Sequence, residues 1–200
     1  MIVADEKVKF SKDRGDSSTA LRHTFLKADT ITTSTDSYLA IAFKTADEEH
    51  FHMTIFRRTT SEDEVEPFTA LSLVNDCHSR DITQILALTD YYRRLSFVTM
   101  SLDGYIKILT DEGVVEHSVL GMGMALNGSI MPNRQDFFLV ATMNDETEEN
   151  FVCVYRRQKM KRALGPFNDQ VLDLKMSSLG NMMFIPSGLF SLDRIELRDL

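Results

Sequence analysis

Cysteine is almost absent from this 200-residue chain, and its two copies, Cys77 and Cys153, stand far apart in unlike contexts. Without a Cys-x-x-Cys pair, neither a disulfide framework nor a structural zinc site is expected, and a reducing intracellular compartment, cytoplasmic or nuclear, fits best. Positive charge is scarce as well. Twenty-two Lys and Arg against 30 Asp and Glu leave a net charge of −8, which argues against broad nucleic-acid binding. No stretch approaches the roughly 20 apolar residues that a spanning helix requires, so no membrane is expected among the partners. The opening MIVADEKVKF has too short an apolar run for a secretory signal. A glycine-rich phosphate loop, a zinc-protease motif, a kinase signature and a Gly-x-Ser-x-Gly elbow are all missing. Gly121-Met122-Gly123 has glycine spacing alone. Tryptophan does not occur at all.

What remains is an ordinary globular composition. Apolar residues make up 43% and charged residues 26% of the chain, enough for one folded domain over residues 1–200 and too apolar for disorder. The pattern within it is repetitive. From Cys77 to Asp111 a loop leads into ITQILALT, whose apolar and polar residues alternate with the period of a half-buried strand. After a polar break at Asp90 to Arg94, LSFVTMS reads as a strand buried on both faces. Asp103-Gly104 supplies a tight turn, YIKILT completes a hairpin, and VVEHSVL follows Glu112-Gly113 as a fourth strand. Four meandering strands in about 40 residues have the length and order of one propeller blade.

This segment resembles the WD-repeat family. That family places a histidine before the first strand, a small hydroxyl residue in the second, an aspartate-glycine turn next, and Trp-Asp at the end of the third. Here His78, Thr99 or Ser101, and Asp103-Gly104 stand at those places, YIKIL matches the third strand, and Leu109 replaces the tryptophan. The copy is degenerate. The same beat recurs in TITTST, YLAIAFKTA, FHMTIFRR and EPFTALSL, again in MALNGSIM, DFFLVATM, NFVCVYRR and KMKRALG, and last in VLDLKMSSLGNMMFIPSG with RIELRDL. The third-strand ends, Phe56, Leu109, Tyr155 and Arg198, fall at intervals of roughly 43 to 53 residues, near the expected period. The resemblance covers nearly all of residues 29–200. It implies an all-β fold, a β-propeller of four-stranded antiparallel blades, about four in number, as a reduced propeller, a fragment, or a half-ring completed by a partner chain. The expected blades are 28–75, 77–120, 121–166 and 168–200. In residues 1–27, ADEKVKFSKD and STALRHTFLK read as strands of a preceding or closing blade.

Several residue groups have the chemistry of sites. His78, Thr99, Ser101 and Asp103 look at first like a triad, but the resemblance implies a buried structural hydrogen-bond relay and no catalytic residue. Buried polar groups need such partners, and an orphaned one costs about 1–3 kcal/mol. His50 and His52 lie two apart beside Asp47, Glu48 and Glu49, which allows a metal site to be imagined, although a solvated hairpin tip explains them. The acidic runs Glu62 to Glu64 and Asp145 to Glu149 lack the ligand pattern of an EF-hand and read as solvated loops. Arg156, Arg157, Lys159, Lys161 and Arg162 form the sharpest charge contrast on an acidic chain and are candidates for contact with RNA or an acidic protein. Strand alternation would spread them over two faces. No metal or cofactor is expected. The resemblance implies a non-enzymatic scaffold that binds other protein subunits of a larger intracellular assembly. The alternative is an RNA-contacting subunit of a ribonucleoprotein using Arg156 to Arg162.

Overall fold

Runs of β-branched and aromatic residues punctuated by Gly, Asn and Asp build strands and turns throughout. The computed structural model describes residues 23–45, 50–59, 67–89, 94–132, 134, 136–188 and 191–196. Within them the chain is all-β, in four antiparallel sheets whose strands follow one another in sequence order. Sheet 1 holds β1 (His23–Thr32), β2 (Asp36–Thr45), β3 (Phe51–Thr59) and β4 (Thr69–His78). Sheet 2 holds β5 (Ile82–Thr89), β6 (Leu95–Ser101), β7 (Tyr105–Thr110) and β8 (Val115–Leu120). Sheet 3 holds β9 (Met124–Ile130), β10 (Phe137–Met143), β11 (Asn150–Arg156) and β12 (Lys159–Phe167). Sheet 4 holds β13 (Lys175–Met176), β14 (Met182–Ser187) and β15 (Ser191–Glu196).

The sheets stack face to face in chain order, and the side-chain period of two sends alternate residues into different cores. Between sheets 1 and 2, Ala40, Met53 and Ile55 meet Ile85, Phe97 and Leu109. Between sheets 2 and 3, Val98, Met100 and Ile106 meet Phe138, Val140 and Tyr155. Between sheets 3 and 4, Leu139, Ala141 and Val154 meet Leu174, Met183 and Ile185. β5 is therefore buried on both faces over Ile85–Leu88, and not half-buried as its alternation predicts. Its neighbours are apolar sheets on either side.

The first strands lie next to one another, β1 against β5, β5 against β9 and β9 against β13. Among the described residues the last strands β4, β8 and β12 make no comparable contacts with each other. Polar side chains of the first strands also reach across. Asp29 of β1 accepts the Ala87 N–H of β5 at 2.9 Å, and Thr83 of β5 donates to the Ala125 carbonyl of β9 at 2.8 Å. Asn127 of β9 donates to Asp173, ahead of β13, at 3.1 Å.

The sheets differ from the expected segments in three places. β1 begins at His23, whose partner is Thr45, so residues 23–27 open sheet 1 and are not the outer strand of a preceding blade. Cys77 and His78, expected to open the second repeat, end β4. A bulge between Phe51 and Met53 lets His78 pair with Phe51 while Cys77 enters the first core. The fourth sheet has three strands among the described residues, where four were expected. Residues 1–22, Asp90–Arg93 in the polar break, the run Glu62–Glu64, and Arg198-Asp199 lie outside the described residues. No helix among the described residues is long and apolar enough to cross a membrane.

Candidate functional site

The densest polar cluster sits where β4 hands over to sheet 2. Ser101 O accepts the Gly104 N–H at 3.1 Å, closing a tight turn whose Gly104 has φ +81, a conformation that disfavours any side chain. That turn holds Asp103 over the end of β4. Its carboxylate accepts the Ser79 N–H at 3.0 Å and the Tyr105 N–H at 2.9 Å, and it meets His78 Nδ1 at 3.0 Å. A carboxylate can only accept, so Nδ1 carries the proton and donates. The other ring nitrogen, Nε2, is 2.8 Å from the Thr99 hydroxyl in the middle of β6. Thr99 is thus the partner of His78. Ser101 takes a separate part, donating to the Arg80 carbonyl at 3.0 Å and accepting the Asp103 N–H at 3.1 Å.

The chain of bonds joins sheet 1 to sheet 2 in a dry setting. The His78 side chain is 0% exposed and that of Asp103 6%. Burial alone would raise the Asp103 pKa. Hydrogen bonds from His78, Ser79 and Tyr105, together with the charge of the ring, outweigh it and hold the carboxyl far below the usual carboxylate range. Beside them Cys77 lies 3.9 Å from the Thr99 hydroxyl, and burial pushes its thiol up. Lys107 donates to the Cys77 carbonyl. Every oxygen and nitrogen in the cluster already has a partner, and both hydroxyls, on Thr99 and Ser101, are fully buried. A cleft of about 540 Å³ opens onto the cluster, with His78, Asp103 and Lys107 in its lining beside His50, Asp76 and Ser118. At the other end of the strands a larger cleft of about 1120 Å³ opens among Thr35, Asp111, His117, Asp136 and Arg157.

The rings of His50 and His52 have centroids 6.3 Å apart, but their surroundings differ. His50 is exposed and pairs with Asp76, whereas His52 is buried, its ring centroid 5.5 Å from that of Phe43. A solvated tip therefore describes His50 only. Parity of the β2–β3 pairing puts His52 opposite Phe43, on an apolar face. Among the described residues no group of three or more His, Cys, Asp or Glu side chains could hold a metal ion. Asp145–Glu149 form an exposed turn around Asn144, whose side chain accepts the N–H groups of Glu146 and Thr147.

The basic segment spans the β11–β12 hairpin, and all five of its cations are exposed. Arg156 pairs with Asp136 at 2.7 Å. A bulge changes the distribution expected from alternation. Val154 pairs with Arg162 and Tyr155 with Met160, so one extra residue, Lys161, is inserted. Arg162 thereby shares the face of Val154, Arg156 and Lys159, and three of the cations gather on one side.

The spacing of Gly121 and Gly123 has a packing cause. A Cβ on Gly123 would lie 2.2 Å from the Met143 carbonyl oxygen, and one on Gly121 3.2 Å from that of Gly104. Three site residues escaped the sequence reading: Asp29, Thr83 and Asn127, the inter-sheet ties. Their only signal is a polar residue inside an otherwise strand-like run. No protein-family model matches this chain, and no curated protein does so either.

Proposed function

We propose that this chain is a WD-repeat-like β-propeller, whole or in part, that serves as a non-catalytic scaffold for other protein subunits in a larger assembly. The observation that carries it is the convergence of β1, β5, β9 and β13 at one side of a serial stack of sheets, while β4, β8 and β12 make no comparable contacts with each other among the described residues. Sheets that meet at their first strands and spread at their last are arranged like sectors about an axis. Such an arrangement leaves short strand-end loops on two faces, where binding residues concentrate on a rigid frame.

The polar cluster supports the non-catalytic part. An acid–base or nucleophilic role needs a group that a substrate can reach. Thr99 and Ser101 are buried, and the Asp103 carboxylate is filled by one ring and two backbone donors. The cluster instead ties the end of sheet 1 to the β6–β7 turn of sheet 2.

Two measurements test the proposal separately. Small-angle scattering of the purified chain reads the arrangement: a flat sector or disc supports the propeller, and a straight rod of stacked sheets overturns it. Crosslinking mass spectrometry on the tagged chain, isolated from its own cells, reads the scaffold. Reproducible crosslinks from the strand-end loops to other subunits support that role. Recovery of the chain alone, at its own 22.8 kDa, overturns it.

A further inference from the structure

β12 is the outer strand of sheet 3, hydrogen-bonded to β11 along one edge and to no strand along the other among the described residues. An open edge offers a row of backbone donors and acceptors to another extended chain. Lys159 to Ala163 are all exposed, with Met160 47% exposed among them. Arg156 is held by Asp136, but Lys159, Lys161 and Arg162 form no ion pair with any described residue. Lys159 pairs with Arg156 across the hairpin, and the bulge at Lys161 brings Arg162 to their face. A concentrated, unneutralised positive edge thus stands on a chain of net charge −8.

We propose that this edge, β12 with Lys159, Lys161 and Arg162, docks an acidic, extended segment of another protein. This deepens the scaffold reading by naming one contact surface and the chemistry of its occupant. It does not depend on whether the four sheets close into a ring.

Charge alone would suit an RNA backbone equally well, and the surroundings decide between the two. Single-stranded nucleic acid is held by exposed aromatic rings as well as by cations. The rings near this edge are spent elsewhere. Tyr155 is 1% exposed and stacks on Phe138 at 5.4 Å, and Phe137 lies under the guanidinium groups of Arg134 and Arg156. What the edge does expose is backbone, the Met160 thioether and cations, which match an acidic strand with interspersed apolar side chains. Lysine on an edge also repels a second basic edge, so the same residues discourage self-association while admitting an acidic partner.

The test uses the full chain and two fluorescein-labelled probes of equal length, a peptide alternating glutamate with valine and an oligouridylate, followed by anisotropy at low and at raised salt. Saturable binding of the peptide is expected, weaker at raised salt, and reduced about tenfold or more in K159E/K161E/R162E. All three side chains are exposed, so the variant should keep the thermal midpoint of the parent. Where it does not, R162E alone is read in the same way. Lys175→Glu, on sheet 4, should leave peptide binding unchanged. The proposal is overturned by absent peptide binding, or by binding that the reversed variant retains. Tighter binding of oligouridylate that is lost in the variant also overturns it and assigns the edge to RNA. None of these outcomes bears on the scattering test of the fold.

Discussion

Asp29 on β1 accepts the backbone N–H of Ala87 on β5 at 2.9 Å, a bond between two sheets rather than within one. Thr83 and Asn127 make the corresponding reach from β5 to β9 and from β9 toward β13. Apolar cores can slide over one another, because dispersion and burial are not directional. These polar ties fix the register in which successive sheets meet.

Asp29→Ala should therefore cost more than a surface aspartate. It removes the acceptor of a half-buried N–H and leaves that donor unsatisfied, a loss of about 1–3 kcal/mol. Urea unfolding would measure it, and the Ala87 amide should exchange faster with deuterium while amides of sheet 3 stay unchanged. Equal exchange at Ala87 in both proteins would show that the tie carries nothing.

Asp103→Ala should destabilise the fold by about 1–3 kcal/mol through the His78 ring and the Ser79 N–H it leaves unpaired. The pH dependence has a definite sign. The folded pKa of Asp103 is depressed, so its contribution is fully present above the unfolded value, about pH 4, and is lost as pH falls below it. The gap in stability between parent and variant should close as pH falls from 5 toward 2.5. Chemical denaturation at each pH follows the gap; a gap that widens in acid would contradict the assignment.

Leu109, near the end of β7, is fully buried in the first inter-sheet core. Leu109→Ala should cost about 2–5 kcal/mol by the cavity it opens. A thermal midpoint within a degree of the parent would place this side chain outside the core.

Both thiols should be inert in the native protein. Burial pushes Cys77 and Cys153 up, and only the thiolate attacks. An aromatic disulfide reagent should label neither at pH 8 until denaturant is added, then both. Rapid labelling of the folded chain would contradict the burial of Cys77 and Cys153.

Much of this arrangement was legible in the residues. Sheet 3 follows the segments MALNGSIM, DFFLVATM, NFVCVYRR and KMKRALG closely, because Asp136 precedes β10 and Asn144-Asp145 follows it, although the β11–β12 turn is Arg157-Gln158. The contact of His78 with Asp103 has no local signature, since the turn aspartate is distant in sequence from the histidine. The choice of Thr99 over Ser101 was not legible. Both are buried hydroxyls on one face of β6, and only distance separates them. The bulge at Lys161 was also hidden. It follows from cross-strand pairing, which periodicity along a single strand does not encode. His52 was misread for the opposite reason: acidic neighbours in sequence suggested solvent, while its strand partner Phe43 decided burial.

The serial order of the sheets has a consequence for how the molecule comes apart. Among the described residues each inter-sheet core joins only neighbours in the sequence, so their cohesion is a sum of nearest-neighbour terms along a line. Fraying should then begin at the ends, most readily in sheet 4, where β13 contributes two residues. The amides of β6 and β10, central strands of sheets flanked on both sides, should be the last to exchange.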